Sequence, residues 1–427
     1  MVKRIAMISV HTCPLATLGG KETGGMNVYV RELTREFSRR GLEVDVFTRS
    51  QDPQIRHICG PLGERGRVIH VEAGPERPAN PNDIYTHLPE FVQGVTRLAR
   101  DEGRHYDIVH SHYWLSGLVA EELRQVWGVP FVQMFHTLAE LKNQVAGSPE
   151  EMESPRRRDC EGQIMRSADR LVAATSLERD QMQSYYGADP EKISVVPPGV
   201  DLELFHPLPA EEAKARIGAP ADHRIVLFVG RIQPIKGIDT LIQAMARVLR
   251  RRPGLRDQLC LAVIGGDPNS DSDHEQTELR RLKALREELG IGDLVTFLGS
   301  KSQDTLVNYY SAASMVVVPS HYESFGMVAL EAMACGTPVI ASDVGGLSLN
   351  VAEGFSGYLV RDGDPEALAD KILLLLNHDE LRQHLSVQAR RWAERFSWVN
   401  IADEILGVFE QTLSASAIRY PALCQAP

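Results

Sequence analysis

Long apolar runs are missing from this sequence. Nothing in it approaches the ~20 consecutive apolar residues of a membrane helix, so no integral membrane segment is expected. The opening MVKRIAMISV holds too short an apolar run for a secretory signal. Cysteine is scarce and scattered: Cys13, Cys59, Cys160, Cys260, Cys335 and Cys424 show neither close pairing nor metal-ligand spacing. That pattern fits a reducing compartment, and a cytoplasmic protein is the expectation. Basic charge is not in excess either. Lys and Arg number 46 against 57 Asp and Glu, a formal net charge of −11. A nucleic-acid binder normally carries a basic footprint, so nucleic acid is not an expected partner. Whole-chain charge does not forbid a local basic site for an anionic ligand.

What is present is a globular composition, 43% hydrophobic and 24% charged, in a chain of 427 residues. Domains usually run to roughly 100–200 residues, so two are expected. Ile5–Val10 reads as a buried strand, followed by a turn-rich loop (Pro14, Gly19, Gly20, Gly24, Gly25). Helical periodicity follows over Met26–Arg40, through Val28, Val30, Leu33 and Phe37. Gly41 stops that helix, and Glu43–Thr48 begins the next strand. Further strands are expected at Val68–Val71, Ile108–His110, Phe131–Phe135, Leu171–Ala174 and Ile193–Val196. Helical stretches between several of them predict a mostly parallel sheet covered on both faces.

Pro197-Pro198-Gly199-Val200-Asp201 and Phe205-His206-Pro207 interrupt this pattern and mark a domain boundary at 207/208. The alternation then restarts. Strands are expected at Ile225–Gly230, Leu261–Ile264, Val295–Leu298, Met315–Val318 and Pro338–Ala341. Helices are expected at Ala210–Ile217, Ile238–Leu249, Thr277–Leu289, Asp304–Ala312 and Gly326–Ala334, and they dominate after Pro365. The domains are therefore 1–207 and 208–397, with 398–427 a last helix that crosses back to the first, Phe396-Ser397-Trp398 being the hinge candidate. Trp392 and Trp398 read as core packing. Ligands of such sheets lie beyond the carboxyl ends of the strands.

Three loops sit at such ends. Gly24-Gly25 directly precedes a helix, where glycine admits close ligand approach and unpaired N–H groups face an anion; a plain turn is the bland alternative. Gly230-Arg231 and Lys236-Gly237 place two cations on either side of a strand-to-helix turn, able together to clamp a diphosphate. Glu323 falls in the loop after Met315–Val318, and Glu331 one to two turns along the following helix. Carboxylates so placed can accept hydrogen bonds from two separate sugars, with the helix N-terminus facing phosphate between them. The N-terminal glycines do not make a full G-x-G-x-x-G, and no acidic residue clearly ends the second strand. That counts against an NAD-dependent oxidoreductase.

In order along almost the whole chain, Gly24-Gly25-Met26-Asn27-Val28-Tyr29-Val30, Pro197-Pro198-Gly199-Val200-Asp201, Gly230-Arg231…Lys236-Gly237 and Glu323…Glu331 resemble the retaining GT-B glycosyltransferases. That family includes glycogen synthases, sucrose-phosphate synthases and inositol-phosphate glycosyltransferases. The resemblance implies an α/β fold of two Rossmann-like domains facing each other across a cleft, acceptor-side first and donor-side second. It implies a UDP-linked hexose or N-acetylhexosamine as donor. Arg231 and Lys236 would bind its diphosphate, Glu323 its sugar hydroxyls with the amides of Ser324, Phe325 and Gly326, and Glu331 its ribose. Gly25 would sit against the phosphates, and His136 near the reacting carbon.

The stretches His110-Ser111-His112-Tyr113-Trp114-Leu115-Ser116-Gly117 and His136-Thr137-Leu138 are similar to the inositol-phosphate branch. A small phosphorylated acceptor would then meet Asn27, Tyr113, Thr137 and Arg157 or Arg158. One departure stands out. That branch carries a phosphate-binding lysine after Ala-Gly-Pro, whereas here Ala73-Gly74-Pro75 leads into Glu76-Arg77, and Arg77 is the substitute. Sucrose-phosphate synthases, acting on UDP-glucose and fructose 6-phosphate, share His11 to Ala16 and the glycine pair but typically have Gln where Met26 stands. With Arg and Lys carrying the charge, no obligatory metal is expected, although Mg²⁺ could stimulate. A nucleotide-sugar sensor without catalysis is the remaining alternative. The oligomeric state is left open.

Overall fold

The structure is a computed structural model that describes residues 2–16, 24–60, 62–146, 148–266 and 273–419. Gly19 and Gly20 of the expected loop lie outside the described residues, as do residues 420–427 of the expected last helix. The chain divides into two units. One holds the residues up to Pro198 together with the helix Trp398–Arg419; the other holds Gly199–Ser397.

The first unit is built on β1 (Arg4–Ile8), β2 (Glu43–Arg49), β3 (Ile58–Cys59), β4 (Gly66–Val71), β5 (Ile108–His112), β6 (Phe131–Met134), β7 (Arg170–Ala173) and β8 (Ile193–Val195). Their order across the sheet is β3-β4-β2-β1-β5-β6-β7-β8. The neighbours pair in parallel except β3, which runs antiparallel to β4. Ile5, Ala6, Met7 and Ile8 are all fully buried, as a strand covered on both faces requires. Strand β3 escapes a sequence reading because two residues, with Ile58 exposed, carry no periodicity.

Helix Gly25–Arg39 buries Val28, Val30, Leu33 and Phe37. It stops where Gly41 takes φ +83°, a left-handed conformation that glycine adopts without a Cβ clash. Helix Trp398–Arg419 packs on it through Ile401, Ile405 and Phe409, residues four apart that share one face. The Phe37 and Phe409 rings lie 5.8 Å apart, Trp398 stands edge-on to Tyr29 at 5.4 Å, and Arg40 pairs with Asp403 at 2.5 Å. Fully burying side chains of this size contributes about 1.5–3 kcal/mol each, which is what holds the last helix to this unit.

The second unit is wholly parallel: β9 (Arg224–Val229), β10 (Leu259–Ile264), β11 (Val295–Phe297), β12 (Met315–Val318), β13 (Val339–Ser342) and β14 (Gly357–Val360), in the order β11-β10-β9-β12-β13-β14. Helix Ile238–Arg251 buries Leu241, Ile242, Met245 and Val248 in its core. Strand β14, absent from the sequence reading, is a short edge strand with half-buried Tyr358 and Leu359. Trp392 packs against Phe355 and Phe396 and donates its indole N–H to Asn350 O at 2.6 Å.

Strand order locates the ligand edges. In the first unit β1 lies between β2 and β5, so the chain leaves β1 toward one side and returns on the other. In the second, β9 lies between β10 and β12. Crevices of parallel sheets open at the carboxyl ends of such switch points. The loops after β1, β5 and β6 and those after β9 and β12 are therefore where chemistry is to be sought.

Candidate active site

In the second unit the loops after β9 and β12 meet. The expected open loop of Arg231–Gly237 ends in a single 3-10 turn, Pro234–Lys236, and Gly237 turns left-handed at φ +63°. A Cβ at Gly237 would fall 2.0 Å from Pro319 O, so only glycine lets these two loops close up. His321 N donates to Ile235 O at 2.9 Å and completes the seam. Lys236 is thereby aimed at Glu323: Nζ to Oε2 is 2.5 Å, with the two side chains 16% and 19% exposed. Arg231 is exposed at the carboxyl end of β9.

Glu323-Ser324-Phe325-Gly326 is braced from behind by a feature that the sequence reading passed over, Gly345-Gly346. Gly346 N donates to Glu323 O at 2.9 Å. A Cβ on Gly345 would lie 2.0 Å from Glu323 O, and one on Gly346 2.5 Å from Ser324 O. Asn350 donates its amide to Phe325 O. The readable signal was a second glycine pair ahead of a helix, of the same kind as Gly24-Gly25. Gly326 does not open the helix as expected. It is the cap, at φ +92°, and helix Met327–Ala334 starts one residue later with no side chain bonded to its first amides. Those N–H groups and the aligned peptide dipoles favour an anion there. Glu331 is buried in that helix. Tyr310 donates its hydroxyl to Oε2 at 2.8 Å and Gln303 its amide to Oε1 at 3.4 Å. Beside that carboxylate the buried Tyr310 phenol is held far above its usual pKa, chiefly by desolvation.

In the first unit, Gly24 caps helix Gly25–Arg39, and Gly25 is exposed at its start. Asn27, expected at an acceptor, is bonded within its own loop. Its Oδ1 accepts from Gly24 N at 3.0 Å, and its Nδ2 donates to Thr12 Oγ1 at 2.6 Å and Cys13 O at 2.7 Å. With every polar atom engaged and the residue buried, it shapes the loop.

Tyr113 (φ +76°) and His136 (φ +63°) sit at the ends of β5 and β6, the only non-glycine residues of positive φ among those described. Such conformations cost of order 1–3 kcal/mol and persist where the surroundings over-determine them. Arg157, fully buried, packs against Tyr113 and ties it to Thr137. Its Nη2 donates to Thr137 O at 2.8 Å and Oγ1 at 3.0 Å, its Nε to Glu161 Oε1 at 2.8 Å, and its guanidinium lies 4.7 Å from the Tyr113 ring centre. Burial pushes the Tyr113 phenol up to about 12, with Arg157 opposing.

Glu153 lies between two cations, 2.9 Å from Arg157 Nη1 and also bonded to Lys142. Lys142 is the nearby lysine that the sequence reading did not single out. Of the two arginines expected at an acceptor, only Arg157 joins Tyr113 and Thr137. Arg158 is 52% exposed and pairs with Glu140 at 2.8 Å. Arg77 is exposed elsewhere, its carbonyl accepting from Arg49 Nη2 at 2.6 Å. Among the described residues no group of three or more His, Cys, Asp or Glu is placed to hold a metal ion, and no helix is long and apolar enough to cross a membrane.

Two Rossmann-like α/β units, each with glycine-shaped loops at its switch point, define a GT-B type of architecture. Residues 209–392 match the family Glycosyl transferases group 1, and residues 23–204 match Glycosyltransferase Family 4. The D-inositol 3-phosphate glycosyltransferase of Saccharomonospora viridis is 45% identical over 97% of this chain and 95% of that protein. The one from Acidothermus cellulolyticus is 44% identical over 96% and 91%. Among solved structures, sucrose-phosphate synthase from Thermosynechococcus elongatus superposes with a TM-score of 0.87 at 36% identity, covering 97% of this chain and all of that one. The chain belongs to the group 1, GT-B family of glycosyltransferases. It is an enzyme of glycosyl transfer, and the oxidoreductase and sensor alternatives fall away.

Proposed function

We propose that this enzyme moves a hexose or N-acetylhexosamine from a UDP-linked donor to a hydroxyl of an inositol phosphate, with retention at the anomeric carbon, in the reducing cytoplasm. The observation that carries this reading is the 45% identity to a D-inositol 3-phosphate glycosyltransferase over nearly the whole chain. The geometry supports it in both units. Lys236 stands at the second unit's switch point, with Arg231 at the end of β9 and the open amides of helix Met327–Ala334. These are the groups that would bind a diphosphate and stabilise it as it departs. Glu323 and the amides of Ser324, Phe325 and Gly326 would hold the sugar hydroxyls, and Glu331 the ribose. Gly25 would lie against the phosphates, and His136 by the sugar. Tyr113, Thr137, Arg157 and Lys142 gather around the Glu153 carboxylate in the first unit. An acceptor phosphate would take the place that the Glu153 carboxylate holds between Lys142 and Arg157.

No carboxylate is placed as a nucleophile in this reading. The bond from the anomeric carbon to the diphosphate oxygen breaks with that electron pair leaving on the diphosphate. The acceptor oxygen bonds to the same face, and its proton passes to the departing phosphate oxygen. Positioning and charge stabilisation supply the rate. A second reading, transfer of glucose to fructose 6-phosphate, is favoured by the likeness to sucrose-phosphate synthase and by the missing lysine after Ala73-Gly74-Pro75. Mass spectrometry of products from UDP-, ADP- and GDP-sugars offered with inositol phosphate or fructose 6-phosphate decides between them. A glycosylated inositol phosphate is expected; sucrose phosphate as the major product would replace the first reading by the second.

A further inference from the structure

Four histidines gather in and beyond the carboxyl halves of β1, β5 and β6: His110 within β5, His112 at its end, and His11 and His136 in the loops that follow β1 and β6. The rings of His110 and His112 lie 4.2 Å apart, those of His112 and His136 5.2 Å. Only one nitrogen-to-nitrogen hydrogen bond joins them, His112 Nδ1 to His136 Nε2 at 3.0 Å. His112 is fully buried and its Nε2 has no partner, whereas His136 keeps partial exposure.

Two neutral imidazoles sharing one hydrogen bond have two choices. If His136 donated from Nε2, the His112 proton would sit on Nε2, a buried N–H with no acceptor. If His112 donates from Nδ1, its Nε2 is left with an unpaired lone pair, the less costly orphan. His110 sharpens the choice: neither of its ring nitrogens has a partner, so this interior already holds one orphan N–H in either tautomer. Burial pushes the His136 imidazole down to about 3 and holds His112 well below the ordinary histidine value, so both rings are neutral near pH 7.

We propose that His112 is a positioning residue for His136. Its Nδ1–H donates to His136 Nε2, fixes His136 as the Nδ1–H tautomer, and so presents an N–H donor to the sugar, where a lone pair would otherwise face it. This rests on the reading of His136 as a sugar contact. The positive φ of His136 makes the hydrogen bond more than decorative. A residue held at +63° is kept in place by what its ring packs on, Tyr29 at 5.2 Å and His112. A donor fixed toward the sugar strengthens as negative charge grows on the hydroxyl or phosphate oxygen it meets.

The test uses the full chain with ¹⁵N-labelled histidine rings. Long-range ¹H–¹⁵N correlation should find both His112 and His136 protonated on Nδ1. His112→Asn, whose amide N–H overlays Nδ1, should keep that tautomer and retain most of the turnover. His112→Leu should lose it, with kcat falling ~10–100-fold and KM moving little, the scale seen for outer partners of functional imidazoles. His136 protonated on Nε2 in the wild type overturns the proposal. So does a folded His112→Leu protein with His112→Asn kinetics. His136→Ala separates the two levels. If its kcat is unaffected, the reading of His136 as a sugar contact fails. If its kcat falls while that of His112→Leu does not, only the positioning role fails.

Discussion

Lys236 and Glu323, 87 residues apart in sequence, meet at 2.5 Å where the loops after β9 and β12 close on Gly237. The pair is mostly buried, and each ion holds the other in place. A diphosphate carries more charge than one carboxylate and competes for the same ammonium, so the donor is expected to take over Lys236 and free Glu323 for sugar hydroxyls. Lys236→Ala should lower kcat by ~10²–10³-fold, the range seen when one preorganised oxyanion contact is removed. Circular dichroism should show the fold retained. Unchanged turnover in a folded variant would remove Lys236 from the mechanism.

The glycine brace behind Glu323 makes a separate prediction. Gly345 and Gly290 both have positive φ, +49° and +68°, so alanine strains either backbone. Only at Gly345 does the new methyl also collide, 2.0 Å from Glu323 O; at Gly290 nothing lies within 4 Å. Gly290→Ala should cost about 1–2 kcal/mol, the penalty of a left-handed L-residue. Gly345→Ala should cost about 1–3 kcal/mol more and should depress kcat as well, because the displaced atom belongs to Glu323. Urea melts and steady-state kinetics on the two variants check both halves. Equal effects would mean that the contact does not hold the loop.

Much of this was legible in the sequence, and the exceptions have physical causes. Parallel strands buried on both faces read as apolar runs, so β1, β9 and β12 and the loops that follow them were found at the right places. Lys236 and Glu323 are expected at one ligand because both stand at strand ends; their direct pairing is visible only in the fold. The partners of Asn27 and Arg158 are not legible for a different reason. An amide or a guanidinium in a sequence carries no sign of its partners, and here Thr12, Cys13 and Gly24 engage one and Glu140 the other. Gly345-Gly346, Glu153 and Lys142 act through contacts that only the fold creates. Strands β3 and β14 are too short or too half-buried to stand out from loops.

Arg157 should prove to be both scaffold and ligand site. It is fully buried with Glu161, and it ties helix Pro155–Ser167 to Thr137 and to the strained Tyr113. Burial by itself would raise the Glu161 carboxyl, and it does so despite Arg157 and the Tyr186 hydroxyl opposing it. Arg157→Met strands that buried acid and should destabilise the protein by about 3–5 kcal/mol. Glu153→Gln weakens only the more accessible carboxylate between Lys142 and Arg157. It should lower KM for the phosphorylated acceptor, since phosphate no longer displaces a charged rival, and leave KM for the donor unmoved. Acceptor KM that stays constant or rises in Glu153→Gln would refute the exchange.

Acid should unfold the first unit through its histidines. Burial depresses His11, His110 and His136 to about 3 in the folded chain, against 6.5 when exposed. Each therefore adds stability that is complete above pH 6.5 and is lost as pH falls toward 3, at about 1.4 kcal/mol per pH unit. Buried Glu178 runs the other way. Desolvation raises its carboxyl to about 7 from 4.5, so its contribution is complete below pH 4.5 and fades as pH rises through 7. Between pH 6.5 and 4.5 His11, His110, His112 and His136 oppose the raised carboxyls of Glu178 and Glu161, and the histidines win. The urea midpoint should thus fall on acidification across this window, with a net uptake of protons on unfolding. His110→Leu removes a titrating ring that has no hydrogen-bond partner on either nitrogen, and should reduce that uptake by about one proton. Glu178→Gln should steepen the fall by the same amount, because a group that gains from acid has gone. A midpoint that is flat from pH 6.5 to 4.5 in all three proteins would show that these rings are hydrated in solution and titrate as exposed histidines do.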